Sequence, residues 1–308
     1  MSSPTPGPDN GLPVRMPRPR RSGRHRRPEP VVAPENAPAL VLAVPGEPTS
    51  ASRGLAEEIA SIARSELPGL DARIGYVEGD DSTDFPALGA VLSRAAEDRA
   101  VPGAEGVASA DAQVSDGPPA VVVPLLAGPD AAHMRHIRQA VLNSGSGAEL
   151  TDVLGPHPLL AEAVHVKLSE AGLARADRAR LFTVATAADG IILASLGGEE
   201  AVQAAGITGM LLAARLAVPV LAAGLDEEGA IARAAGQLRE SGSQQLAVAP
   251  CLIGPEIPAG LLQAAAEEAG SSAAEPLGPY PALGKLVASA YGAKLGLPQQ
   301  PQQGMPAR

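Results

Sequence analysis

The 308-residue sequence predicts an α/β protein of two pseudo-symmetric lobes, each a parallel four-stranded sheet flanked by helices. Two observations carry this. Short segments recur in the same order in both halves: VLAVPG (41–46) and ILASLG (192–197), PLLAGPD (124–130) and PCLIGPE (250–256), LGPHP (154–158) and LGPYP (277–281). One recurring Gly/Pro motif is cheap, whereas three in register mean an internal duplication. Between the motifs, unbroken apolar runs alternate with stretches of helical period, the pattern of a parallel sheet buried on both faces.

Each half reads in the same order. An apolar strand (40–44; 191–195) runs into a Gly turn. A helix follows, with Leu55, Ile59 and Ile62 as its inner face in the first half and Ile207, Met210, Leu211 and Ala214 in the second. A second strand (72–77; 218–223) precedes a helix carrying Leu88, Val91, Leu92 and Ala95, or Ile231, Ala234, Ala235 and Leu238. The third strand (120–126; 246–253) is continuous Val, Leu and Ala. After a third helix come a weak fourth strand (149–153; 273–276) and the LGPxP turn. Pro158 and Pro281 suit the first turn of the last helix, where a missing N–H costs little. The expected organisation is a Pro/Arg-rich disordered tail over 1–38, an N-terminal lobe over 39–173 with a loop insertion at 100–119, a C-terminal lobe over 174–297, and a flexible end over 298–308.

Composition removes several function classes. One Cys excludes a disulfide framework and a Cys-based metal cluster held by this chain alone. Aromatics are 2% of residues, too few for a base-stacking surface. Residues 1–37 hold seven Arg but only Asp9, Glu29 and Glu35, so the body is more acidic than the whole-chain balance of −10. That charge repels nucleic acid. The apolar stretch 207–225 is interrupted by Arg215 and Pro219 and reads as a helix followed by a buried strand, not a membrane span. The expectation is a soluble, cytoplasmic protein.

In folds of this kind ligands sit at the carboxyl ends of the strands, and two facing lobes make a cleft. The first strands end in Pro45-Gly46-Glu47 and Leu196-Gly197-Gly198-Glu199-Glu200. Neither is a phosphate loop, and carboxylates there would repel a nucleotide. The third strands end in Gly128-Pro129-Asp130 and Gly254-Pro255-Glu256. Asp130 and Glu256 serve either as caps of the helices they precede or as a pair of acids facing one cleft. His133 and His136 share a helix face at i, i+3, fit to hold one borderline divalent cation or to stand in solvent beside Arg135 and Arg138. His157 and Tyr280 are matched turn residues suited to turn packing or to the edge of a ligand, and His165, at mid-helix, has a helix-surface or packing role. Cys251 lies in a buried strand and no GxSxG elbow occurs, so nucleophilic catalysis is not indicated.

The Gly turn after the first strand, VVVPLLAG with His just beyond it, and LGPHPLLAEAVHVKLSEAGL together resemble the class II chelatases. The likeness is to the long two-lobed sirohydrochlorin chelatases of sirohaem and cobalamin biosynthesis, and covers roughly residues 39–296. It implies a lyase that inserts Co2+ or Fe2+, as substrate, into a tetrapyrrole held between the lobes, with no permanently bound cofactor. On this resemblance Asp130, His133, His136 and Glu256 are the candidate catalytic groups, and His133 and His136 the candidate metal ligands. Gly46, Gly128, Gly197 and Gly254 would border the bound ring. The family's first strand ends in His-Gly, where this chain has Pro45-Gly46. That substitution also fits a relative that binds a tetrapyrrole or a protein partner without inserting metal. An unrelated small-molecule binding module is the third reading.

Overall fold

The computed structural model of the chain describes residues 31–80, 82–100, 117–174 and 187–298. Residues 1–30 of the expected tail, 101–116 of the expected insertion, 175–186 at the lobe junction and 299–308 lie outside them.

The first half contains β1 (Ala39–Val44), α1 (Ser50–Glu66), β2 (Ala72–Tyr76), α2 (Leu88–Ala100), β3 (Ala120–Pro124), α3 (Ala131–Ser144), β4 (Glu149–Leu150) and α4 (Pro158–Glu170). The second contains β5 (Gly190–Ser195), α5 (Glu199–Leu216), β6 (Val220–Gly224), α6 (Ala230–Glu240), β7 (Leu246–Pro250), α7 (Leu261–Ala269), β8 (Ser272–Ala273) and α8 (Pro281–Lys294). The two sheets run β2-β1-β3-β4 and β6-β5-β7-β8. Every pairing is parallel, with Leu40 beside Ala72 and Val121, and Ile191 beside Val220 and Ala247. β1 and β5 are wholly buried, as their unbroken apolar sequences require.

Strand alternation sends Leu40, Leu42 and Val44 of β1 to one face and Val41 and Ala43 to the other. The first set joins Ile191 and Leu193 of β5 in a single core shared by both halves. The outer faces are covered separately, by α2 and α3 on the first sheet and α6 and α7 on the second.

The last helix of each half packs on the other half. α4 lies against α5 and β7, and α8 against α1 and β3. Gly284 allows α8 to cross α1 closely: a Cβ there would stand 2.5 Å from Cβ of Ile62 and 3.1 Å from the Ile59 carbonyl oxygen. Farther along α8 the buried Tyr291 hydroxyl donates to the Pro38 carbonyl at 2.6 Å.

Four local expectations are corrected. The apolar stripe of α5 faces outward: Ile207, Met210, Leu211 and Ala214 are exposed, while Ala201, Ala205, Thr208, Gly209 and Leu212 are buried. Clearance under the helix decides this, since a Cβ on Gly209 would already lie 3.3 Å from Val220. β6, expected to be fully buried, is half-buried at Val220, Leu221 and Ala222 because it is the edge of its sheet. Residues 31–38, expected to belong to a disordered tail, are held: Ala33 is buried, its N–H donates to Pro68 at 2.9 Å, and Val31 and Ala37 pack on the core. Their prolines favour an extended path and spend little entropy in adopting it. The fourth strands are only two residues each, because pairing stops before the LGPxP turns. Among the described residues no helix is long and apolar enough to cross a membrane.

The helix exchange is testable. Gly284→Ala should lower the free energy of unfolding by about 1–3 kcal/mol through overpacking against α1. Adding Ile62→Ala should recover part of that loss in chemical denaturation. Additive losses in the double variant would mean that the two helices do not meet at this point.

Candidate functional site

The Gly turns after the first strands meet the Gly-Pro-acid turns after the third strands of the opposite half. Gly46, at φ +75°, lies against Pro255, and a Cβ there would collide with the Pro255 carbonyl. Gly197, at φ +117°, lies against Pro129 and Asp130, where a Cβ would stand 2.7 Å from both the Pro129 oxygen and Cα of Asp130. Both glycines combine positive φ with a close backbone approach, so no other residue suits either place. The strand tips therefore point at each other and touch at two reciprocal contacts.

Asp130 sits in one of these contacts. It caps α3, its Oδ1 accepting the N–H groups of Ala132 and His133 at 2.9 Å. Its Oδ2 is 2.8 Å from Nδ1 of His133. The His133 bond holds the Asp130 carboxyl below its ordinary range, against the opposing effect of burial. The same bond raises His133 above the usual imidazole value; burial opposes it, and the charges of Asp130, Glu256 and Glu78 add to it. A carboxylate at Nδ1 selects the tautomer with Nδ1–H donating, which leaves Nε2 as the acceptor.

Glu256, the counterpart of Asp130, behaves differently. It caps no helix, since α7 begins only at Leu261. It turns back on its own strand end, accepting from the Ile253 N–H at 2.6 Å and the Gly254 N–H at 2.8 Å. Burial pushes its carboxyl up, while those backbone bonds and the charge of His133 pull it down. One acid is thus held ionised and the other is made basic, and His133 responds to both.

The other candidate residues are distributed unevenly. His136 is exposed on α3 with Arg135 and Arg138. A Cβ on Gly128 would meet nothing within 4 Å, and on Gly254 it would come 3.7 Å from Leu55. His157 caps α4, with Nδ1 accepting from the Leu159 N–H at 3.1 Å, and burial pulls its pKa down. The Tyr280 hydroxyl donates to Glu162 at 3.3 Å, bridging α8 and α4. His165 is buried and accepts from Nε of Arg215 at 2.7 Å. The buried Cys251 thiol is pushed up to about 12, which leaves it inert as a nucleophile. Among the described residues, no group of three or more His, Cys, Asp and Glu could hold a metal ion.

Two acids escaped the sequence reading. Glu78 contributes to the field at His133. Asp226 accepts from the Gly197 and Gly198 N–H groups at 3.1 and 2.9 Å, filling the donor cradle at the start of α5 that a phosphate would use. A sequence signal for both was present, for Val77-Glu78 and Leu225-Asp226 are matched apolar–acid pairs just past the second strands. Matching the halves beyond their Gly/Pro motifs would have exposed the pair.

No protein-family model and no curated protein matches the sequence. Solved structures do match. CbiX, described as the terminal enzyme for biosynthesis of siroheme in denitrifying bacteria, superposes with a TM-score of 0.51 at 17% identity, covering 83% of this chain and 98% of CbiX. The sirohydrochlorin chelatase SirB from Bacillus subtilis subspecies spizizenii, solved in complex with cobalt, gives a TM-score of 0.52 at 11% identity, covering 82% of this chain and 94% of SirB. The chain has the fold of these chelatases.

Two measurements check the site. Gly197→Ala should lower the melting temperature markedly, because strain and collision add, whereas Gly128→Ala should leave it nearly unchanged. Similar values for both would mean that the strand tips do not touch. The second concerns pH. Asp130, lowered from 3.8, stabilises the fold above that value, and this is lost as pH falls through its folded pKa. His133, raised from 6.5, stabilises fully below 6.5, and this is lost as pH rises through its folded pKa. Glu256, raised from 4.5, works in the same direction as His133. The melting temperature should therefore peak on the acid side of neutrality and fall as pH rises through the folded pKa values of Glu256 and His133, and Glu256→Gln should flatten that fall. An unaltered profile in the variant would remove Glu256 from the balance.

Proposed function

We propose that this chain inserts a divalent metal, Co2+ or Fe2+, into a tetrapyrrole of the sirohydrochlorin type, a lyase reaction of sirohaem or cobalamin biosynthesis. The observation that carries the reading is Asp130–His133–Glu256, set at touching strand tips in a chelatase fold. Metal insertion releases two pyrrole N–H protons as one M2+ enters, so the site needs two acceptors. Nε2 of His133 takes one, and Asp130 stabilises the imidazolium through Nδ1–H. Glu256, buried with both oxygens held by backbone N–H groups, supports the imidazolium by its charge, and the second proton passes to water. His136, one turn on from His133, completes an imidazole pair for handing over the metal. The open space beside Gly128 offers the ring an approach to α3. Cys251, as a free thiol, suits a reducing cytoplasm.

A specific observation favours a second reading. Pro45 is buried at the end of β1, where the resemblance to the chelatases implies a His, and it cannot accept a proton. A relative that binds a tetrapyrrole or protein partner without inserting metal is the alternative on that ground.

Absorbance titration of the protein with sirohydrochlorin, without and with Co2+, separates the two readings. Binding should shift the spectrum without metal, and Co2+ should then convert it faster than in protein-free solution. His133→Ala should slow insertion by about 100-fold or more while binding persists. The wild-type rate should rise with pH through the folded pKa of His133, because the neutral ring is the acceptor. Binding without accelerated insertion supports the second reading. Wild-type rates in His133→Ala, His136→Ala and the double variant would remove both from the mechanism.

A further inference from the structure

We propose that a cavity at the amino ends of the second sheet's strands binds a small aliphatic carboxylate, at a site separate from the strand tips. The cavity holds about 500 Å³, a size usual for small-molecule sites. One wall is apolar, made by Leu173 beyond α4, Ala188 before β5 and Leu246 at the start of β7. The other carries donors: Arg239 in the last turn of α6, with Ser271 and Ser272 where β8 begins. Nη2 of Arg239 donates to the Ala269 carbonyl at 2.6 Å and lies beside Gly270, which holds the guanidinium over the turn that leads into Ser271. Its other N–H groups are left for a ligand. The Ser271 hydroxyl is buried and meets no hydrogen-bond partner among the described residues. A hydroxyl removed from water without a partner costs free energy that a bound acceptor restores. No carboxylate lines the cavity. Asp189, next to Ala188, turns its carboxylate to the N–H groups of Gln244 and Gln245.

The duplication shows that the fold does not demand these donors. Leu88, Leu92 and Ala95 of α2 have the spacing of Ile231, Ala235 and Leu238 of α6, which sets Ala96 where Arg239 stands. Ala120 and Leu246 pair with equivalent residues of the first strands, so Pro118 and Pro119 stand where Gln244 and Gln245 do. Glu149 pairs with Val121 as Ser272 pairs with Ala247, so Ala148 stands where Ser271 does. The first half thus has no side-chain donor at any of these places, and an acid at one. Charge and shape identify the ligand. A single guanidinium balances a single negative charge, and the acidic body disfavours a dianion. The guanidinium fork matches a carboxylate, the Ser271 hydroxyl adds a donor, and the apolar wall covers a short alkyl chain.

Saturation-transfer NMR of the full chain with butyrate tests this, with neutral butyramide and inorganic phosphate as comparison ligands. Butyrate should bind saturably, at about millimolar strength for a ligand of its size. Butyramide should bind about tenfold more weakly, for want of the charge. Arg239→Gln should weaken butyrate by about tenfold or more and Ser271→Ala by about threefold. Ser271→Ala should leave the melting temperature of the ligand-free protein at or above the wild-type value, because no bond is lost. Gln245→Glu, which puts a like charge at the rim, should also weaken butyrate, and it serves if Arg239→Gln does not fold. His133→Ala should bind butyrate as wild type does. Equal binding of butyrate and butyramide, or tighter binding of phosphate, overturns the proposal. So does binding that is unchanged in all three cavity variants or lost in His133→Ala. A fall in melting temperature on Ser271→Ala, showing that the hydroxyl is already bonded, overturns it as well.

Discussion

Two backbone turns cross at the strand tips with no room for a Cβ, and the arrangement of the lobes depends on that crossing. Gly46 against Pro255 and Gly197 against Pro129 and Asp130 are the same contact made twice, once in each direction. Because the turns are in contact, Asp130 and Glu256 are buried instead of lining an open trough. Burial then sets their chemistry. A carboxylate removed from water either finds donors or gains basicity. Asp130 finds two N–H groups and an imidazole, whereas Glu256 finds two N–H groups and still rises.

The exchange of α4 and α8 is the second consequence of doubling. Neither sheet closes its inner face with its own helices alone, so the shared core cannot form in one half without the other. The exchange ties the tips together from behind. Cross-half hydrogen bonds, from Tyr291 to Pro38 and from Tyr280 to Glu162, lie on these exchanged helices. Small residues at the helix crossings, Gly284 over α1 and Gly209 over β6, set how near the layers come. Where clearance is that tight, residue size outranks hydropathy in choosing the buried side of a helix.

Matched positions in the two halves have taken different tasks. The start of α1 is satisfied by a capping box between Thr49 and Ser52, the start of α5 by Asp226 reaching in from the next strand end. Asp130 caps a helix while Glu256 folds onto its own strand. His157 caps α4, whereas Tyr280 instead reaches across to α4. Duplication preserved the backbone and freed the side chains to diverge, which is why a site built at the pseudo-symmetry axis is itself asymmetric.

Much of the fold was legible in the chain itself. Continuous apolar runs at β1, β3, β5 and β7 can only be parallel strands covered on both faces, and three repeated motifs set their order. Local chemistry also sufficed for Pro158 and Pro281 at helix starts. What depends on distance between remote segments was not legible. Ile207, Met210 and Leu211 have the spacing of an inward face, yet they point outward because β6 leaves room only for small residues beneath α5. The basicity of Glu256 and the effect of its charge on His133 arise only once the tips meet. Periodicity and turn preference are written in neighbouring residues. Clearance and desolvation belong to residues brought together from far apart, and tertiary structure alone decides them.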